Sequence, residues 1–127
     1  METYTIGQLA RKTGLTRRAL RLYEESGLLI PERGEQNQYR YYTEGHLQDA
    51  LVIKTLRESG LPLKSIRRLF KLKRSDLPVE EKLSQSGALL DALYEELSAK
   101  RRAIDVALNQ VAADREAIRQ LLEGRSL

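Results

Sequence analysis

The chain has 127 residues, 41% of them hydrophobic and 31% charged, a balance that suits a modest folded domain with an appendage and excludes a disordered tail. Cysteine is absent and His46 is the only histidine, which removes disulfides, thiolate metal sites and any transition-metal centre built on nitrogen or sulfur. No metal and no cofactor is therefore expected. No apolar run nears the roughly 20 residues that cross a bilayer, and Met1-Glu2-Thr3-Tyr4 lacks the basic and apolar regions of a signal peptide, so the expected location is the cytoplasm.

In chain order, Thr5 is placed to cap a short helix over Ile6 to Lys12, with Ile6, Leu9 and Ala10 on one face and Gly14 at its left-handed stop. A second helix follows at once, capped by Thr16, running from Arg17 to Glu25 and ending at Gly27. Its residues Ala19, Leu20 and Tyr23 share one face, while Arg17, Arg18 and Arg21 project from the other. Next, the apolar Leu28-Leu29-Ile30-Pro31, the polar Glu32 to Gln38 and the aromatic Tyr39-Arg40-Tyr41-Tyr42 read as a two-stranded wing with a polar tip. Thr43 caps a third helix to about Ser59, stopped by Gly60, and Pro62 opens a fourth near Leu63 to Lys73 that buries Ile66, Leu69 and Phe70.

Beyond Ser75-Asp76-Leu77-Pro78 the pattern changes. Leu83, Leu90, Leu97, Ile104, Val111 and Ile118 recur every seven residues, and Leu93, Ala107 and Leu121 follow three residues later in their heptads. Ser86, Lys100 and Asp114 interrupt that second stripe. This is a coiled-coil period. A helix from about Val79 to Leu122 would be about 65 Å long, more than the head can cover, so it needs a partner helix. The fold class is thus mainly α: a winged helix-turn-helix head over residues 1–74, then a linker and coiled-coil dimerisation helix over residues 75–127.

Charge divides along the same line. The first 74 residues hold 15 Lys or Arg against 8 Asp or Glu, and the remainder 7 against 10. A basic head suits a polyanion, because neutralised phosphates release condensed counterions; charge alone suits a solvated basic face equally well. A helix-turn-helix requires a small residue where the helices touch, a turn residue tolerant of positive φ and apolar anchors for the reading helix. Ala10, Gly14, Leu20 and Tyr23 occupy those places, though glycine turns also join helices that never meet DNA. The three arginines shift the balance, since a guanidinium can fork onto a guanine edge or clamp a phosphate. Arg40 in the returning wing strand can add a backbone contact, whereas Lys or Arg at 54, 64, 67 and 68 are expected mainly to solvate helices. Scattered Asp and Glu and a lone His46, expected to be solvent-exposed and structural, form no acid, base or nucleophile constellation, so an enzyme is not expected.

In order, Tyr4-Thr5-Ile6-Gly7-Gln8-Leu9-Ala10, Gly14-Leu15-Thr16, Leu20-Arg21-Leu22-Tyr23-Glu24, Gly27-Leu28-Leu29 and Pro31 resemble the MerR-type regulators, the mercury-resistance regulator family. The likeness continues through Asn37, Tyr39-Arg40, Tyr42-Thr43, Ile53, Leu56, Gly60, Leu63 and Ile66. It implies a winged-helix homodimer, joined by an antiparallel coiled coil, that binds a near-palindromic promoter and distorts an overlong spacer so that RNA polymerase can use it. By position, it assigns Arg21 as the reading-helix arginine and Arg17 and Arg18 as base-reaching positions. Tyr23, Tyr39 and Arg40 match its support and backbone contacts, next to the cap Thr16. Double-stranded DNA, a second copy of the chain and RNA polymerase are the implied partners. An architectural or chromosome-anchoring DNA-binding protein without promoter control is the rival reading.

Three positions depart from the family. Leu22 stands where tyrosine is usual, Gln38 where glycine is usual at the wing turn, and Pro62 where a capping Ser or Thr is common. Metal- and redox-sensing members use cysteines that this chain lacks, and drug-sensing members carry a further C-terminal domain. An inducer between heads and coil, action without an inducer, and a longer regulator of which these residues are part all remain open.

Overall fold

The computed structural model describes residues 2–36 and 39–126; the expectations placed on Asn37 and Gln38 lie outside them. Helix α1 spans Ile6–Thr13 and α2 spans Arg17–Glu25. Thr5 closes a capping box with Gln8, each side chain satisfying the other's backbone N–H, and the Thr16 hydroxyl accepts from the Ala19 N–H at 3.0 Å. Both caps supply acceptors for N–H groups that a helix start leaves unpaired. Gly14 and Gly27 end the two helices at φ of 76° and 78°, where a Cβ would be strained.

The wing is smaller than the sequence suggests. Strands β1 (Glu32–Arg33) and β2 (Arg40–Tyr41) are two residues each and pair antiparallel, Glu32 opposite Tyr41 and Arg33 opposite Arg40. The apolar run before them is not strand: Leu28 and Leu29 are buried, and their N–H groups both donate to the Tyr23 carbonyl. Hydrophobic burial at the end of α2 therefore takes the residues that a strand reading would have used. Tyr4 pairs with Tyr42 in an isolated antiparallel bridge, with N–H to O distances of 2.7 and 2.8 Å, so the N-terminal segment is tied to the wing's returning strand.

Helices α3 (Glu44–Glu58) and α4 (Leu63–Lys73) complete the head. Leu9, Leu20, Tyr23, Leu28, Leu29, Tyr42, Ala50, Ile53, Leu61, Ile66 and Phe70 form its core; full burial of each large side chain is worth about 1.5–3 kcal/mol. His46 is half-buried rather than exposed. Its Nδ1 accepts from the Thr43 N–H at 2.9 Å, and its Nε2 lies 2.7 Å from the Ile30 carbonyl oxygen, so it caps α3 and fastens the segment before the wing. Pro62 stands at the N-cap of α4 without a side-chain bond, since its ring has no acceptor, and its carbonyl takes the Ser65 and Ile66 N–H groups.

Helix α5 runs unbroken from Val79 to Ser126. The chain divides into two compact units, residues 1–89 and 90–127. Along α5, Leu83, Leu90, Ile104, Val111 and Ile118 are exposed and Leu97 is half-buried. Of the companion stripe, Leu93 is only 6% exposed, while Tyr94, Leu108 and Leu122, one residue further round, are open to solvent. The exposed apolar face is therefore broader than the first stripe alone. Among the described residues, no helix is long and apolar enough to cross a membrane.

Candidate nucleic-acid interface

The reading helix is fixed from beneath and presented from above. Leu20 and Tyr23 are buried, whereas Arg17, Arg18, Arg21 and Leu22 are exposed. The i, i+1, i+4 spacing of Arg17, Arg18 and Arg21 puts the guanidinium groups on adjacent parts of one helix surface. Arg17 lies across the start of α1, because a Cβ on Gly7 would stand 2.6 Å from its Nη2. The lack of a side chain at Gly7 gives that guanidinium room.

Three contacts set the pose of α2. Lys54, on α3, donates to the Thr13 carbonyl at 2.8 Å, placing a cation at the C-terminal end of α1, where the helix dipole favours it. It therefore holds the turn between α1 and α2 instead of merely solvating α3. Arg74, at the end of α4, donates from Nη1 to the Gly27 carbonyl at 2.6 Å and from Nη2 to the Leu28 carbonyl. Its guanidinium also lies 5.5 Å from the Phe70 ring and 3.8 Å from Asp49, which in turn pairs with Lys73 at 2.8 Å. Glu24, on α2, accepts from Arg40 Nη1 at 2.6 Å and from the Tyr42 hydroxyl.

The residues expected to meet DNA thus fall into two groups. Thr16, Arg17, Arg18, Arg21, Tyr39 and Arg40 are exposed, on the start and outer face of α2 and on the wing. Tyr23 is a core residue, 5% exposed, so its part is to support the helix. Arg40 is ion-paired within the chain, a link that no motif in the sequence announces. Lys64, Arg67, Arg68 and Lys71 form an exposed cationic stripe along α4, opposite the buried Ile66 and Phe70.

Two tyrosines are held protonated well into the alkaline range. Tyr4 is pushed up to about 12, chiefly by donating to Glu44 at 2.9 Å. Tyr42 is raised further, first by burial and then by its bond to Glu24. The Glu44 carboxyl is held below its ordinary value by the Gln48 amide and then by Tyr4. A hydroxyl that donates to a carboxylate resists ionisation, and the carboxylate resists protonation.

Comparison with known proteins places this geometry. Residues 4–73 match the MerR HTH family regulatory protein model. The chain is 30% identical over 125 residues to the HTH-type transcriptional regulator CueR of Escherichia coli O6:H1, covering 95% of this chain and 93% of that protein. Among solved structures, a putative MerR family transcriptional regulator from Listeria monocytogenes superposes with a TM-score of 0.76 at 23% identity, over 84% of this chain and 79% of that one. HiNmlR, a MerR family regulator lacking the sensor domain and bound to promoter DNA, superposes with a TM-score of 0.65 at 27% identity, over 91% and 93%. With the helix-turn-helix, the wing and the long helix in their expected order, the chain belongs to the MerR family of helix-turn-helix regulators.

Proposed function

We propose that the protein is a sequence-specific DNA-binding transcriptional regulator that acts as a homodimer on promoter DNA in the cytoplasm. Helix α2 enters the major groove, where Arg17, Arg18 and Arg21 reach base edges. Thr16 at its N-terminus and Tyr39 and Arg40 on the wing contact the phosphate backbone. The observation that carries this reading is the triplet of exposed arginines on a helix capped at its start, anchored by Leu20 and Tyr23, with Lys54 holding the turn before it and Arg74 the residues after it. A pre-set helix reads a groove without first losing its own freedom.

One reading helix touches too few base pairs to specify a promoter, so two are needed at a fixed separation. Residues 1–74 serve as the DNA-binding module, and the helix from residue 75 onward as the dimerisation element, pairing antiparallel with a second copy through Leu83, Leu90, Leu97, Ile104, Val111 and Ile118. The exposure of all of these but the half-buried Leu97 supports this, since apolar faces of this length are buried in stable proteins. The dimer distorts the promoter spacer for RNA polymerase. Genomic footprinting with a promoter reporter tests the proposal: paired half-sites inside promoters, with transcription changing on deletion of the protein, are expected. Sites without dyad symmetry, or unaltered transcription, would overturn it.

A further inference from the structure

The Glu24 carboxylate is a negative charge on a helix offered to a polyanion, and its position is unusual for a solvated acid. Its side chain is 10% exposed, while that of its partner Arg40 is 38% exposed. The acid is hidden and the cation presented. One carboxylate oxygen takes Arg40 Nη1 and the other takes the Tyr42 hydroxyl, so a single residue of α2 grips both ends of the wing's returning strand. Tyr42 is itself fastened to Tyr4 through the backbone bridge. Among the described residues, Arg40 Nη2 and Nε make no other hydrogen bond.

A guanidinium has five N–H donors in a rigid plane, so anchoring one edge orients the others. We infer that Glu24 is a positioning residue for DNA binding: it holds Arg40 by one edge so that the opposite edge faces a backbone phosphate, and it locks the wing to α2. The inference rests on the reading of α2 and the wing as the DNA-binding surface. It makes the base contacts of α2 and the phosphate contact of the wing fall in one register, because both are carried by the same rigid unit.

The effect of removing the charge has opposite signs under the two accounts. Long-range electrostatics alone makes loss of a carboxylate near DNA tighten binding. Positioning makes it weaken, since Arg40 is released into many rotamers. Glu24→Gln is the variant of choice, being isosteric and still able to accept from Tyr42. The probe is a duplex enriched from a random pool by the wild-type protein, with a mixed-sequence duplex beside it, each titrated at several salt concentrations.

Glu24→Gln is expected to bind the enriched duplex about tenfold more weakly, the scale of one charge-assisted contact. Its log–log salt slope should be shallower by about 0.9, one phosphate's worth of counterions. Combined with Arg40→Ala, it should add nothing to the loss caused by Arg40→Ala alone. Unchanged or tighter binding by Glu24→Gln, additive losses, or no loss in Arg40→Ala would each overturn the inference. If thermal melting shows Glu24→Gln unfolded, Arg40→Lys decides. Its ammonium keeps the ion pair but has no second edge, so near-wild-type stability with about tenfold weaker binding supports the inference and wild-type binding refutes it. Failure of the wild-type protein to enrich any duplex would instead count against the regulator reading itself.

Discussion

Replacing Arg74 by methionine keeps much of the aliphatic stem over Phe70 but removes both bonds to the carbonyls that follow the reading helix. Each is a hydrogen bond from a charged donor, a class worth about 1.5–3 kcal/mol. The two share one ion, however, and the side chain is 29% exposed, so water and the neighbouring Lys73–Asp49 pair offset part of the loss. A net destabilisation of about 2–3 kcal/mol follows. Arg74→Lys should recover about half of it, since an ammonium reaches one carbonyl without forking onto both. Five of the six tyrosines lie between residues 4 and 42, and tryptophan is absent, so tyrosine fluorescence during urea unfolding reports on the head rather than on α5. Protein concentration must be held constant, because a dimer's apparent stability depends on it. The midpoint should fall at constant m-value for both variants, in the order methionine below lysine. Equal midpoints for Arg74→Met and for Lys64→Met, an exposed residue of the same helix, would refute the claim that Arg74 clamps the end of α2.

Arg18→Ala and Arg21→Ala should each cost about 1–3 kcal/mol against the enriched duplex and relax base preference at particular positions; equal weakening on every sequence would show that they touch only the backbone. Ile104→Asp places a charge in the exposed apolar face of α5 and should split the dimer, at a cost of several kcal/mol; a variant that stays dimeric by light scattering would place the seam elsewhere. Glu44 is titrated more easily in the unfolded than in the folded chain, because its folded carboxyl is held low by Gln48 and Tyr4. Its stabilising contribution is therefore present above the ordinary carboxylate range and lost as the pH falls through the lower folded value. Glu44→Gln should flatten the acid limb of the stability profile, and an unchanged limb by urea midpoint between about pH 5 and 2 would contradict the assignment.

Much of this protein is local, and what is local was readable. Thr5 and Thr16 cap helices through atoms three residues away, and Gly14, Gly27 and Gly60 stop helices through their own φ. The seven-residue period of α5 is likewise a property of adjacent turns. These interactions depend on short stretches of chain, so composition and spacing suffice to place five helices and the face of α2 that carries three arginines. The wing was legible only in outline, because Leu28 and Leu29 satisfy a strand's apolar preference and a core's equally well, and the core claimed them.

The tertiary structure decided which charges face outward and which are committed within the chain. Arg40 meets Glu24 across 16 residues, Lys54 meets the Thr13 carbonyl across 41, and Arg74 meets Gly27 across 47. Nothing in the spacing of a basic residue reveals such a partner, since the pairing arises only when separate helices are packed together. The amino-acid sequence by itself determined that a basic helix would be built and where it would begin and end. Packing determined how it is aimed, because the groups that hold the turn before it, the residues after it and the wing come from α3, the end of α4 and β2, brought within hydrogen-bond reach by a shared hydrophobic core.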